Sequence, residues 1–195
     1  MNFLDSGKFS LEPGPVMEGI NGIDIDIVGQ GGHGSRPDLA INPLFCGADI
    51  INTLGSLWAN KFAPDEVCTL GLSNLIGGQA YNVIEERQRL VGTIRYFSHL
   101  AGAKGLDLIE KTATSLGQVH GCKVKINHKS ATNPILVNDE AISNFAKSNL
   151  SPYFGDRLTQ SDPWYASETF ARYKELAPSL FAFLGNRNDD LGYHS

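Results

Sequence analysis

The amino-acid sequence predicts an α+β fold in two parts: a two-layer domain of four strands and two helices, then a C-terminal piece of an α/β domain. Four segments alternate apolar and polar residues with the period of a half-buried strand. Two longer segments carry apolar residues at helical spacing. The apolar run over residues 180–184 does not alternate, which is typical of a strand buried on both faces in a parallel sheet, and its companion strands are expected outside the chain.

The strand and helix segments follow one another in the order β-α-β-β-α-β between about residues 22 and 131. In chain order, the apolar positions that define them are Ile23, Ile25 and Ile27; Leu44, Ala48, Ile51, Leu54 and Trp58; Cys68, Leu70 and Leu72; Leu90, Gly92, Ile94 and Tyr96; Leu106, Ile109, Ala113 and Leu116; and Cys122, Val124 and Ile126. Each strand has one apolar face and each helix one apolar side. This predicts a mainly antiparallel four-stranded sheet with two helices on one face.

Residues of known capping and breaking tendency set the predicted boundaries. Asn42 and Pro43 begin the first helix, since asparagine caps helices and proline is tolerated at the first position, and Pro64 lies beyond its end. Gly77-Gly78 stops the second strand, and the second helix ends near Gly121.

The first and last strands are expected to be neighbours in this topology. Asp24 and Asp26 would then face Lys123 and Lys125 across the open side of the sheet.

The flanking segments have a different character. Residues 1–20, with Gly7, Pro13, Gly14 and Pro15, are predicted to be a connecting segment that contributes nothing to a core. Residues 21–131 form the two-layer domain. Residues 132–195 form part of a second domain, with a helix over 139–150, a short helix over 168–176 and the apolar strand.

Composition excludes several classes of protein. The net charge is −5 and lysine and arginine form no cluster, which argues against a nucleic-acid or anionic-membrane partner. Three cysteines without a C-x-x-C pair indicate reduced thiols. The chain lacks a secretory pattern near its start and any apolar run of about 18 residues. We therefore expect a cytoplasmic protein.

The stretch GQGGHGSRP, residues 29–37, contains the dinucleotide-binding pattern G-x-G-x-x-G. A dinucleotide site needs a fully buried strand before the loop and a helix that starts in it. Here the preceding strand is half polar, and Pro37 and Pro43 delay the helix, so nucleotide binding is not predicted. Two interpretations remain for His33: a solvated loop residue, or an imidazole that the glycines bring close to another surface by letting the backbone turn sharply.

Three longer motifs carry a resemblance to a known family. GQGGHGSRPDLAINP (29–43), GGQAYNVIEERQRLVGTIRYF (77–97) and YASETFARYKELAPSLFAFLGN (165–186) resemble, in order and spacing, motifs of the zinc-dependent aminoacylase and carboxypeptidase family. The most similar branch is the N-acyl-amino-acid amidohydrolases, such as hippurate hydrolase and the plant auxin-conjugate hydrolases. Members have a two-metal catalytic domain interrupted by a β-α-β-β-α-β lid domain, which also dimerises.

The resemblance implies roles for four residues. His33 corresponds to a lid histidine that assists the substrate or the developing oxyanion, across the dimer, as a preorganised donor. Asn82 and Arg95 match positions that hold the carboxylate end of the substrate. Glu168 matches a glutamate of a family motif and is expected to support the reacting groups without touching the substrate. Alternatively, Asn82 shapes the turn after Gly77-Gly78 and Arg95 pairs with an acid on the sheet; Arg36 is expected to be a solvated loop residue.

The chain also departs from the family. The metal-ligand motifs and the general-base glutamate are expected upstream of such a segment, and His194 precedes the usual position of the last ligand. Glu85 stands where proline is common, and Thr169 replaces an aspartate. The five histidines have no i, i+4 pair, so no metal is expected to bind this chain alone.

The sequence therefore predicts a C-terminal fragment of an N-acyl-amino-acid amidohydrolase that contains the lid and part of the catalytic domain. In the intact enzyme, two divalent ions (zinc, manganese or cobalt) would bind the water that attacks the amide carbonyl of the substrate. The isolated chain is expected to be inactive and to pair, through its lid, with a second copy or a full-length relative. The alternative is a non-catalytic dimerisation or binding module.

Overall fold

The computed structural model describes residues 4–127 and 132–187 and divides into two compact units. The sheet unit comprises residues 19–132, and the terminal unit comprises residues 1–18 and 133–195. The strands are β1 (Phe9–Ser10), β2 (Gly14–Met17), β3 (Gly19–Val28), β4 (Gly32–His33), β5 (Cys68–Ile76), β6 (Val83–Ile84), β7 (Arg87–Tyr96), β8 (Lys123–Ile126), β9 (Leu136–Asn138) and β10 (Phe183–Leu184). The helices are α1 (Pro43–Lys61), α2 (His99–His120) and α3 (Glu140–Phe154), with 3₁₀ turns at Pro37–Leu39, Gly155–Arg157 and Thr169–Glu175.

The sheet unit has the predicted two-layer fold. Its four-stranded sheet has the order β5-β7-β3-β8 with every neighbouring pair antiparallel, and α1 and α2 pack on it and on each other. The predicted helix ends are confirmed, since the Asn42 side chain accepts a hydrogen bond from the Leu44 amide at 3.0 Å, and Gly121 ends α2 in the left-handed conformation. The predicted fold class is therefore confirmed for this part of the chain.

Alternating side chains of the strands form the core of the sheet unit with one side of each helix. The buried apolar residues include Ile23, Ile25, Ile27, Leu90 and Ile94 from the sheet and Ile50, Leu54, Ile109 and Ala113 from the helices. At Gly102 a side chain would meet the Tyr96 ring at 2.7 Å, so this glycine lets α2 lie close against the sheet.

The open face of the sheet carries polar pairs that differ from the expected ones. β8 lies beside β3 as predicted, and Asp26 is directly opposite Lys125. Asp24, however, is 8% exposed and binds Arg89 of β7 through two hydrogen bonds of 2.8 and 2.6 Å. The aspartates and lysines lie on one face of the sheet as predicted, but the register pairs Lys123 with Val28 and leaves Asp24 beyond the paired stretch of β8, where Arg89 of β7 binds it instead.

Residues 4–18 contribute directly to the core of the terminal unit. The buried cluster combines Leu4, Val16 and Met17 with Leu136, Ala171 and Phe183. β2 pairs with β9 and β1 pairs with β10, both antiparallel. The expectation that residues 1–20 contribute nothing to a core is wrong, because these pairings join the start of the chain to segments more than a hundred residues away.

The apolar run over residues 180–184 is not buried on both faces within the described part of the chain. Only Phe183–Leu184 form a strand, and Phe183 is 2% exposed whereas Leu184 is 64% exposed. Their partner strand is β1 of this chain and the pairing is antiparallel, so the expected parallel pairing with strands outside the chain is wrong for these residues. Successive side chains of a strand lie on opposite faces, so only one of the two reaches the core. The predicted helices are present as α3 and as the 3₁₀ turn Thr169–Glu175. Among the described helices, none is both long and apolar enough to cross a membrane.

Candidate functional site

The glycine-rich loop lies against the segment that leads into β7. His33 pairs with Val83 in the short β4–β6 ladder, and the Gly34 amide donates to the Asn82 carbonyl at 2.8 Å. A side chain at Gly34 would meet that carbonyl at 3.1 Å. The loop glycines lie outside the left-handed region, and those at 31 and 34 leave room for close approach to the backbone of residues 82–86. The expected sharp turn is present at residues 33–36.

The imidazole of His33 is exposed and its orientation is fixed by one neighbour. Its Nδ1 lies 2.8 Å from the Ser35 hydroxyl and accepts a hydrogen bond from the Ser35 amide at 3.2 Å. The Arg36 amide donates to the His33 carbonyl at 2.9 Å and closes the turn. The ring is therefore displayed outside the core, with Nε2 as the nitrogen available to a ligand.

Asn82 lies beside His33 in the structure. Its backbone carbonyl anchors Gly34, while its side chain is exposed. Tyr81 and Val83 flank it with exposed fractions of 103% and 47%. An amide donor and an imidazole donor are thus presented from adjoining backbone segments, next to apolar surface. Such a combination suits a ligand with a polar group and an apolar part.

Arg95 lies at the other end of the same sheet. It is half-buried on β7, opposite Ile20 and Thr69. Eight residues separate it from Arg87, at the end of β7 nearer His33, which corresponds to about 26 Å of strand. One copy of the sheet unit therefore brings His33 and Asn82 together and holds Arg95 apart from both.

Glu168 caps the 3₁₀ turn Thr169–Glu175 in the terminal unit. Its Oε1 accepts hydrogen bonds from the Thr169 amide at 2.7 Å, the Thr169 hydroxyl at 2.9 Å and the Phe170 amide at 3.4 Å. The Thr169 hydroxyl, followed by the two amides, lowers the pKa of this carboxyl. The observed role is structural, and Thr169, which replaces the expected aspartate, takes part in it.

The loop also contains an exposed ion pair. Arg36 binds Asp38 through two hydrogen bonds of 2.9 and 2.7 Å, and both side chains are more than half exposed. Arg36 is thus a surface residue, as expected. Such an exposed pair contributes little to stability.

The described residues do not form a metal centre. Within residues 4–127 and 132–187, no three histidine, cysteine, aspartate or glutamate side chains converge as metal ligands require. His120 instead binds Asp49 at 2.8 Å between α2 and α1. His128 and His194 lie outside the described residues. No chemical step can therefore be derived through a metal held by these side chains.

Ser35 is the site residue that our reading of the sequence missed. It follows His33 by two residues, and serine hydroxyls and amides commonly form local hydrogen bonds of this kind. The sequence HGS contains that signal, but whether Ser35 contacts the ring depends on the turn that the Arg36 amide closes.

Comparison with known proteins decides the family. Residues 17–121 match the family model of the peptidase dimerisation domain, which is more than half of the chain. The chain belongs to the peptidase dimerisation domain family. Its matched segment includes both motifs that contribute His33, Asn82 and Arg95.

Curated relatives of this dimerisation-domain chain are hydrolases. Thermostable carboxypeptidase 2 from Saccharolobus solfataricus is 27% identical over 187 residues, covering 96% of this chain and 47% of the relative. Hippurate hydrolase from Campylobacter jejuni is 27% identical over 191 residues, covering 97% and 50%. An IAA-amino acid hydrolase from Arabidopsis thaliana is 28% identical over 191 residues, covering 96% and 43%. The chain spans about half the length of these relatives.

Solved structures share the fold. A putative aminohydrolase from methicillin-resistant Staphylococcus aureus superposes with a TM-score of 0.82 at 24% identity, over 97% of this chain and 49% of that one. A dinuclear metal-binding peptidase of the M20 family from Bacillus subtilis gives a TM-score of 0.72 at 21% identity, over 95% and 46%. The family resemblance inferred from the three motifs is thus confirmed.

Proposed function

We propose that the chain is the lid and the C-terminal part of the catalytic domain of a metal-dependent hydrolase that cleaves N-acyl amino acids. The observation that carries this proposal is the exposed, oriented His33 beside Asn82, on a domain whose relatives include hippurate hydrolase and an IAA-amino acid hydrolase. A pair of divalent ions, bound outside the described residues, would supply the activated water. The chain alone is expected to be inactive.

His33 would act as a donor to the oxygen of the scissile carbonyl. Its neutral ring carries the proton on Nε2, because Nδ1 already accepts from the Ser35 amide. A donor held in place before the reaction stabilises the charge that develops on that oxygen. The Asn82 amide would hold the substrate from the same side, and Arg95 would form a bidentate pair with its free carboxylate.

These three residues can grip one small substrate only if two copies contribute. Within one sheet the His33 end and Arg95 are separated by about 26 Å. If two β5 strands paired antiparallel about a two-fold axis, the β7 strands of the two copies would lie three strand spacings apart, about 14 Å. The His33 end of one copy would then approach the Arg95 end of the other. Long side chains and a substrate can span that separation.

The β5 strand suits such a pairing. Its sequence, CTLGLSNLI, has no charged residue and no proline, although it forms an edge of the sheet. Monomeric proteins usually protect a long edge strand with charges, proline or bulges, and β5 has only one register shift, between Leu72 and Asn74. A homodimer, or a heterodimer with a full-length relative, would cover this edge. The three free, buried cysteines support a reducing, cytoplasmic environment as part of the proposal.

The dimer has a direct test. Asn74→Lys places a charge on the exposed edge strand, and Gln118→Lys likewise replaces a neutral amide side chain by lysine, on the exposed side of α2. Sedimentation equilibrium is expected to give a dimer for the parent chain and for Gln118→Lys, and a weakened dimer for Asn74→Lys. A monomer at every concentration for the parent chain would contradict the proposal.

The hydrolase function is tested with a chimera. Purified chain supplied with zinc, manganese or cobalt is expected to leave hippurate intact. The chain is then substituted for the matching half of Campylobacter jejuni hippurate hydrolase, with which it aligns over 191 residues. The chimera is expected to hydrolyse hippurate. In the chimera, His33→Gln is expected to lower kcat by about 100-fold, as for the loss of an oxyanion donor, whereas the control His99→Gln is expected to leave kcat unchanged. A folded but inactive chimera would favour the non-catalytic dimerisation module.

A further inference from the structure

Two groups of Ser35 lie within hydrogen-bond distance of the same ring nitrogen of His33. The Ser35 amide lies 3.2 Å from Nδ1 and the Ser35 hydroxyl 2.8 Å from it. A backbone amide can only donate, so Nδ1 must be the acceptor. The hydroxyl can either donate or accept, and it meets the same unprotonated nitrogen.

This geometry has a consequence for the neutral imidazole. If Nδ1 carried the proton, that proton would point at the Ser35 amide hydrogen, and the contact would become repulsive. The proton therefore belongs on Nε2. The turn that the Arg36 amide closes on the His33 carbonyl, at 2.9 Å, holds Ser35 in position to enforce this choice.

We propose that Ser35 is a positioning residue that selects the Nε2–H tautomer of His33 and fixes the plane of its ring. This inference rests on the proposed function for its purpose: Nε2–H is the donor that the substrate oxygen would meet. The tautomer itself is a property of the chain alone. Ser35 touches neither substrate nor reacting atoms in this account and acts only through His33.

The amide is the group that selects the tautomer, because the hydroxyl can either donate to a bare Nδ1 or accept from Nδ1–H. Ser35→Pro removes the amide hydrogen, whereas Ser35→Ala removes only the hydroxyl and is the matched control. Ser35 is exposed, so neither change disturbs a packed core. Loss of one typical hydrogen bond corresponds to about a fivefold change in the tautomer ratio.

The experiment measures ring nitrogen shifts of the 195-residue chain by long-range ¹H–¹⁵N NMR at alkaline pH. His33→Gln assigns the His33 signals, and His99, an exposed histidine at the start of α2, is the internal reference. We expect Nε2–H to dominate for His33 more strongly than for His99. Ser35→Pro is expected to lower the ratio of Nε2–H to Nδ1–H about fivefold, and Ser35→Ala to leave the ratio unchanged.

Two results would overturn the inference: a His33 tautomer ratio equal to that of His99 in the parent chain, or a ratio unchanged in Ser35→Pro whose other backbone amide signals are intact. Both are independent of turnover. An inactive chimera would remove the proposed function and leave the tautomer result standing, whereas an unselected tautomer in an active chimera would remove only the role of Ser35.

Discussion

Asn138 ties three segments of the terminal unit together, and its removal has a calculable effect. The side chain is 3% exposed. Its Nδ2 donates to the Glu12 carbonyl at 2.8 Å and to the Phe181 carbonyl at 2.9 Å, and its Oδ1 accepts from the Phe181 amide at 2.7 Å. With about 1 kcal/mol net for each bond, Asn138→Ala is expected to destabilise this unit by about 3 kcal/mol.

The two tryptophans allow the two units to be followed separately, since Trp164 lies in the terminal unit and Trp58 in the sheet unit. In a Trp58→Phe background, urea unfolding followed by fluorescence reports on the terminal unit. Asn138→Ala is expected to lower the midpoint by about 2 M, for a slope of about 1.5 kcal/mol/M. In a Trp164→Phe background, in which Trp58 reports on the sheet unit, Asn138→Ala is expected to leave the unfolding midpoint unchanged.

A matched substitution separates the buried hydrogen bonds from the chemistry of asparagine. Asn149 also donates its amide to a carbonyl, that of Phe145 at 2.8 Å, but on the exposed side of α3. Asn149→Ala is expected to change stability by less than about 0.5 kcal/mol. If Asn138→Ala proved equally mild, the three bonds would not hold the terminal unit together and the reasoning would fail.

Three further outcomes are expected. The Arg89 hydrogen bonds lower the pKa of Asp24, so the pair stabilises the fold above the ordinary aspartate range, and this contribution is lost as the pH falls through the lowered pKa. Asp24→Asn should therefore reduce the fall of the thermal melting temperature at acid pH. An acid dependence equal to that of the parent chain would refute the pairing. Burial, followed by the nearby thiol of Cys122, raises the pKa of Cys46 to about 12. Iodoacetamide at pH 8 should therefore leave Cys46 unlabelled in the native chain and label it in urea, which peptide mass spectrometry would show. In Gly34→Ala the new methyl group would lie 3.1 Å from the Asn82 carbonyl oxygen, so the hydrogen bond between these residues should weaken by about 1 kcal/mol. The amide hydrogen of residue 34 should then exchange with solvent about fivefold faster. Exchange at the parent rate would show that the loop can accommodate the methyl group.

Local periodicity predicted the sheet unit well because three of its strands are long and alternate apolar with polar residues. β3, β7 and β5 have nine or ten residues each, so the alternation of faces is visible in the sequence. The ladder between β4 and β6 was not predictable in this way, since a strand of two residues has no period.

The core of the terminal unit could not be predicted from local sequence patterns. Val16 and Met17 belong to a short segment between glycine and proline residues, which carries no periodic signal. Their burial results from the pairing of β2 with β9, about 120 residues further along the chain. Pairings at such separation depend on tertiary packing, and only the structure reveals them.

The candidate site was predicted in part. The motif resemblance singled out His33 and Asn82, and the structure places their backbones together. It did not indicate that Arg95 lies far along the strand, because spacing in the sequence carries no direction in space. The contact of Ser35 with the ring depends on one turn and was equally invisible.

The distance along β7 between the His33 end and Arg95 would make the grip on substrate depend on how much enzyme is present. In the proposed dimer, where each substrate is held by donors from two molecules, dilution below the dissociation constant of the dimer would take the binding site apart before any subunit unfolds. Activity per molecule would then rise with enzyme concentration and level off, and a cell could adjust turnover simply by the amount of this protein that it makes.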